Sequence, residues 1–187
     1  MKRGKTRDLM LCALFVALIA IGAFLKVPIP ALPFTLQYLF TMLAGLLLGP
    51  ELGATAVGIY LLLGLAGVPV FANGGGIGYV FQPSFGYLIG FALGAYVTGR
   101  IAHSVPRASY KRILAANFAG LAVVYLCGMV YYYIISNFYL HTPFGLAPLF
   151  LYCFLLTVPG DIVLCILGGM LAVRLLPVLA GERSRAK

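Results

Sequence analysis

The sequence predicts an all-α membrane protein with six transmembrane helices and both termini cytoplasmic, and three observations carry that prediction. Hydrophobic residues make up 63% of the 187-residue chain and charged residues 9%, against about a quarter charged in an ordinary soluble domain; mean hydropathy is +1.05. Six apolar runs, near 9–26, 34–49, 52–67, 83–100, 112–136 and 148–176, approach or exceed the roughly 20 residues needed to cross a hydrocarbon core. Together they use up the chain as one transmembrane domain, 1–187. Of the 13 Lys and Arg, all but Lys26 lie at the N-terminus, in 100–112 or from Arg174 onward. The positive-inside rule places those segments in the cytoplasm and 26–33, 68–82 and 137–147 outside. The net charge of +9 therefore orients helices and does not mark a nucleic-acid surface.

The first run follows Lys2, Arg3, Lys5 and Arg7 directly. That order also fits a cleavable secretory signal, but a retained helix preserves the charge pattern and is preferred. Ala13, Ala17 and Ala20 share one face of it, at a spacing that admits close approach of another helix; packing within the chain and docking of a partner both fit. The turn KVPIPALP, 26–33, bars helix continuation with Pro28, Pro30 and Pro33, and a second helix then carries Gln37 one turn inside. Pro50 and Glu51 turn the chain into the third helix, and Gly45, Gly49 and Gly53 bracket that turn at spacings that let the two helices sit close.

Ala72 to Tyr87, ANGGGIGYVFQPSFGY, interrupts the helical pattern with Gly74, Gly75, Gly76 and Gly78 and no charge, together with Asn73, Tyr79 and Gln82 as side chains able to read a polar ligand. Irregular backbone near membrane depth survives where protein or a water-filled cavity covers it. The stretch is read as a lid over a small-molecule pocket, with an ordinary external connection as the alternative. Gly86, Gly90 and Gly94 then form a stripe that brings the fourth helix against a neighbour. Pro106 breaks the basic connection to the fifth helix, which ends in Tyr131, Tyr132 and Tyr133; such tyrosines form interfacial belts, although one could turn toward a ligand.

Asp161, in Thr157-Val158-Pro159-Gly160-Asp161, lies between apolar stretches of the sixth run. A carboxylate at such depth costs about 2.5–3.5 kcal/mol on insertion scales, so a polar partner or a ligand is expected. Pro159 and Gly160 are expected to kink the helix at the same level. Other chemistry is sparse. The chain has no P-loop for ATP, and Gly76-x-Gly78 lacks the third glycine of a dinucleotide fingerprint. His103 and His141 are expected on opposite sides of the membrane, Cys12, Cys127, Cys153 and Cys165 stand singly in apolar runs, and the four acidic residues offer no pair for acid and base roles. Neither a metal nor a cofactor is expected, and an intramembrane enzyme is the weaker reading.

Leu36-Gln37 after the Pro-rich turn, Leu46-Leu47-Leu48-Gly49-Pro50, Gly67-Val68-Pro69-Val70-Phe71-Ala72, Pro83-Ser84-Phe85-Gly86-Tyr87-Leu88-Ile89-Gly90-Phe91 and Pro159-Gly160-Asp161 occur in that order. In this the chain resembles the BioY family, the biotin-binding S components of energy-coupling factor (ECF) vitamin transporters. The resemblance implies a six-helix S-component fold in a prokaryotic plasma membrane, with biotin held near the outer face as the transported ligand. It implies a separate T component and two ATP-binding subunits as partners. It assigns ligand contact to Gln37, Asn73, Tyr79, Asp161 and Tyr131, and it makes the Ala13, Ala17, Ala20 face the docking surface for the T component. One departure stands out: the family pattern often places a Lys three residues after the Asp, where this chain has Leu164. Either the acid tail of the ligand stays near water with Lys26 as its partner, or the preferred ligand is a related vitamin or carboxylate.

Overall fold

The apolar runs fold as helices whose glycines let neighbouring backbones touch. The computed structural model describes residues 2–27, 33–105, 108–142 and 144–185, and side chains within that set except those of 2–5 and 178–185. Pro28, Pro30, Pro106, Arg107 and Lys187 lie outside the described residues. Helices α1 (Lys2–Phe24), α2 (Gln37–Leu48), α3 (Pro50–Leu65), α4 (Phe85–Ala102) and α5 (Tyr110–Ile134) are followed by a short α6 (Leu146–Phe150) and a long α7 (Val158–Arg185). Among the described residues, four helical stretches are long and apolar enough to cross a membrane, Thr6–Phe24, Phe85–Ala102, Tyr110–Tyr139 and Leu146–Pro177, while α2 and α3 are shorter apolar helices.

Glycine positions set the packing. α4 packs most extensively on α5, because a Cβ at Gly90 would stand 2.9 Å from the Val124 backbone and one at Gly94 3.0 Å from the Gly120 carbonyl. The Gly86, Gly90, Gly94 stripe is thus spent on α5. A Cβ at Gly53 would come within 2.7 Å of the Gly45 Cα, and one at Gly99 within 2.7 Å of Pro50, so α2, α3 and α4 meet backbone to backbone at one end. His103, at the end of α4, ties into the same junction through Nε2 to the Leu46 carbonyl at 2.7 Å. Arg112 of α5 donates to the Ile101 carbonyl at 3.1 Å and to Ser104 Oγ, so the basic 100–112 connection sits at that end too.

Several boundaries differ from the sequence reading, each for a local reason. α2 begins at Gln37 and not at 34, because Phe34–Thr35 (β2) pairs antiparallel with Lys26–Val27 (β1); Pro33 leads into a strand. α3 begins at Pro50, where the missing N–H falls among donors that have no partner in a first turn. The sixth run, one helical stretch over Leu146–Pro177, is interrupted just before Pro159, at the level where the sequence places a kink. It is α6, a widened turn over Leu151–Leu155, and then α7 from Val158. Pro159 is the second residue of α7, a position proline tolerates, and Asp161 lies in its first turn. There the positive end of the helix dipole favours a carboxylate.

Ala13 and Ala17 are exposed on α1 and Ala20 is half-buried, while Cys12, Phe15, Ile19 and Ala23 face the core. Ala20 packs against the core, while Ala13 and Ala17 remain on the outer face. The four cysteines are free, three of them buried.

Candidate functional site

α2 and α4 start at the end opposite the basic connection, α7 starts deeper, level with Tyr125 of α5, and residues at all three starts line one cavity. It encloses about 60 Å³, room for only a few waters. Its polar wall comprises Thr35, Gln37, Tyr38, Ser84, Tyr125 and Asp161, with Tyr79, Tyr87 and Thr157 beside them, and Phe34, Leu88, Phe91 and Val124 form the apolar part. Asp161 lies in the first turn of α7, where the helix dipole favours a carboxylate. That offsets part of the cost of burying the one carboxylate.

Asp161 is 8% exposed. Tyr125, in the middle of α5, donates its hydroxyl to Asp161 Oδ2 at 2.5 Å, and the same hydroxyl lies 2.9 Å from Thr157 Oγ1. A tyrosine so far from either membrane interface is out of place in an aromatic belt, and that position is the signal by which sequence reasoning could have found it. Behind the opposite wall, Gln37 Nε2 donates to Tyr60 Oη at 2.6 Å, and Tyr60 donates to the Val70 carbonyl at 3.0 Å. Gln37 is thus held in one orientation: its carbonyl oxygen accepts from Thr35 Oγ1 at 3.4 Å, and the second N–H of its amide remains. Tyr38 anchors the floor through a bond to the Asn117 carbonyl at 2.8 Å.

The glycine-rich stretch closes the top. A tight turn pairs Phe71 with Gly74, and Gly74 and Gly76 take φ of 113° and 102°, a region that costs glycine little and other residues much. The Gly76 N–H donates to the Gly64 carbonyl at 2.7 Å, which also accepts from the Gly67 N–H at 3.2 Å, at the end of α3. A 3₁₀ turn over Ile77–Phe81 then turns Tyr79 inward, against Phe71 with ring centres 4.5 Å apart. Burial pushes the Tyr79 phenol above the ordinary tyrosine value, opposed by bonds with the Ser84 side chain and the Asn73 backbone. The lid is tied down at Val80, whose carbonyl accepts from Tyr131 at 2.5 Å, and at Phe81, which stacks on Tyr139.

The structure therefore brings Gln37, Tyr79 and Asp161 to one cavity and leaves two other candidates outside its wall. Asn73 is exposed and accepts a bond from Lys26 at 3.2 Å; its neighbour Ala72 lines the cavity instead. Tyr131 is spent on the Val80 carbonyl, so it bears on the lid and not on the cavity. Gly74, Gly75, Gly76, Gly78 and Gln82 shape the lid without lining the space beneath it. Tyr131→Phe should release one neutral hydrogen bond, worth about 1 kcal/mol. Amide hydrogen exchange over 77–81 should accelerate by roughly fivefold on that account, with exchange in α5 unchanged.

A second, larger space of about 700 Å³ lies between α5 and the α6–α7 segment, walled by Leu126, Met129, Val130, Phe150, Phe154 and similar side chains. Its wall offers almost nothing to orient a polar ligand, and the smaller cavity is the candidate site. Among the described residues no group of three His, Cys, Asp or Glu is gathered to hold a metal.

Comparison with known proteins points the same way. Residues 1–181 match the model of the BioY family. A protein of Lysinibacillus sphaericus described as a probable biotin transporter BioY is 42% identical over 184 residues, covering 98% of this chain and 94% of its own length. The biotin transporter BioY of Thermotoga maritima is 42% identical over 136 residues, 72% of this chain and 77% of its own. The crystal structure of an S-component for biotin from an ECF-type ABC transporter superposes with a TM-score of 0.70 at 30% identity, over 94% of this chain and 93% of that one.

Proposed function

The chain belongs to the BioY family, and from that membership and the cavity we propose that it is the substrate-capture subunit of an ECF-type uptake transporter with biotin as its ligand. The observation that carries the proposal is the pairing of Asp161 and Gln37 across a small space roofed by Tyr79. A ureido ring offers two N–H donors and one carbonyl acceptor on a flat edge. Asp161 suits the donors, and the remaining amide N–H of Gln37 suits the acceptor. Phe34, Leu88, Phe91 and Tyr79 suit the apolar bicycle. Groups left unpaired in such a pocket would reject analogues without the ureido N–H groups.

In this reading six spans cross a plasma membrane with both termini cytoplasmic, which puts the lid outside. Positive-inside charge supports it: the basic segments lie at the end away from the cavity. The lid lifts to admit ligand and settles over it. The subunit carries out no chemistry of its own; a T component and two ATP-binding subunits supply the energy, and the exposed Ala13, Ala17 face of α1 is where the T component docks. Equilibrium binding of labelled biotin to the purified chain in detergent tests the first claim, with saturable binding and no ATPase activity expected. Binding no stronger than to an unrelated membrane protein would sink it. Ala13→Trp should abolish co-purification with a T component and leave biotin affinity within about twofold, since tight helix contacts need small residues; loss of both would indicate misfolding instead.

A further inference from the structure

Lys26 holds a place that the cavity wall leaves unfilled. Among the described residues the wall contains one carboxylate, one amide, several hydroxyls and apolar side chains, but no cation. Between Asp8 and Arg100 the sequence carries only two ionised side chains, Lys26 and Glu51, and Glu51 lies in the first turn of α3, at the end away from the cavity. From Ile113 to Gly160 there is no Lys, Arg, Asp or Glu. Lys26 stands on β1, whose partner strand supplies Phe34 and Thr35 to the wall. Its ammonium donates to the carbonyl of Ala72 at 2.7 Å and to Asn73 Oδ1 at 3.2 Å. Ala72 itself lines the cavity. The cation thus sits on the rim, bonded to two neutral acceptors of the lid, and no ion pair to it is present among the described residues. An ammonium has three N–H donors, so a third remains beyond those two.

We propose that Lys26 is the residue that selects a ligand with an anionic tail: a carboxylate that emerges from the cavity between β1 and the lid takes the Lys26 ammonium, joining or replacing Asn73 as acceptor. This rests on the biotin reading above. A charged acceptor binds an ammonium about twice as strongly as a neutral one, so the exchange favours the bound state and ties the strand, the ligand tail and the lid at one point. Leu164, by contrast, is buried in the core and can offer the tail nothing.

The test compares biotin with biotinamide, its neutral counterpart, by titration calorimetry on the full chain in detergent. The wild type should prefer biotin by roughly five- to tenfold at low ionic strength, and the preference should shrink as salt is raised to about 1 M. Lys26→Met should erase the preference by lowering biotin affinity roughly five- to tenfold more than biotinamide affinity, and Lys26→Arg should keep it, since a guanidinium also pairs with a carboxylate. A preference that survives Lys26→Met overturns the assignment. So does an equal loss for both ligands, which would make Lys26 a lid tether only. If the wild type binds neither compound, the biotin reading fails and this assignment goes with it; if it binds both without preference, only the assignment fails.

Discussion

Asp161→Asn is expected to weaken biotin binding by about one hundredfold while the protein still folds and purifies as the wild type does. Tyr125 occupies Oδ2 of the carboxylate, which leaves Oδ1 to accept from a ligand N–H. Hydrogen bonds to a charged group contribute about 1.5–3 kcal/mol, more than neutral ones. In the variant the tyrosine keeps the amide oxygen as its acceptor, so the amide NH₂ faces the ligand's own N–H, donor against donor. The bond is lost and a repulsion replaces it. Folding should survive because the carboxamide is nearly isosteric and costs less to bury than a carboxylate. Equilibrium binding beside a thermal melt checks both halves; affinity within about threefold of wild type would remove Asp161 from the ligand's surroundings. Asn73→Ala, at the exposed rim, should cost only a few-fold, so the two variants together separate wall from rim.

Gly45→Val is expected to abolish the folded protein rather than its binding alone. A Cβ at position 45 would overlap the Ala95 carbonyl of α4, and the Gly53 backbone of α3 stands against the Gly45 Cα. The obstacles are main-chain atoms on two helices, so no rotamer change relieves them. Overpacking costs about 1–3 kcal/mol where side chains can yield, and more is expected here. A chain of this length loses roughly 2–4 °C in melting temperature per kcal/mol, so a drop of about 10 °C or loss of a monodisperse peak in detergent is the expected result. Gly58→Ala on α3, where an added Cβ meets nothing within 4 Å, should leave both measurements unchanged. A stable Gly45→Val protein would mean that α2 and α4 do not cross where the structure has them.

The lid and Asp161 were legible before any coordinates because each violates what surrounds it: a charge among apolar residues and glycines among helix formers both need a physical reason. Ligand contact for Gln37, Asn73, Tyr79 and Tyr131 is what the family resemblance implies. The polar groups of Asn73 and Tyr131 are met by Lys26 and by the Val80 carbonyl, partners far away in sequence. Tyr38, Tyr87 and Tyr125 went unremarked as wall residues for the converse reason. A tyrosine inside an apolar run reads as packing until its hydroxyl is seen to have a destination.

Sequence alone determined the membrane class, the end of the molecule that carries positive charge, the family, and the two features that mark the cavity, because hydropathy, charge placement and motif order are properties of the chain read in one dimension. Only the tertiary structure decided which residues face the cavity, that Asp161 lies in the first turn of α7, and that Lys26 reaches the lid. Membrane helices are apolar on every side, so their periodicity does not show which face turns inward; that is set by where glycines let neighbouring backbones close.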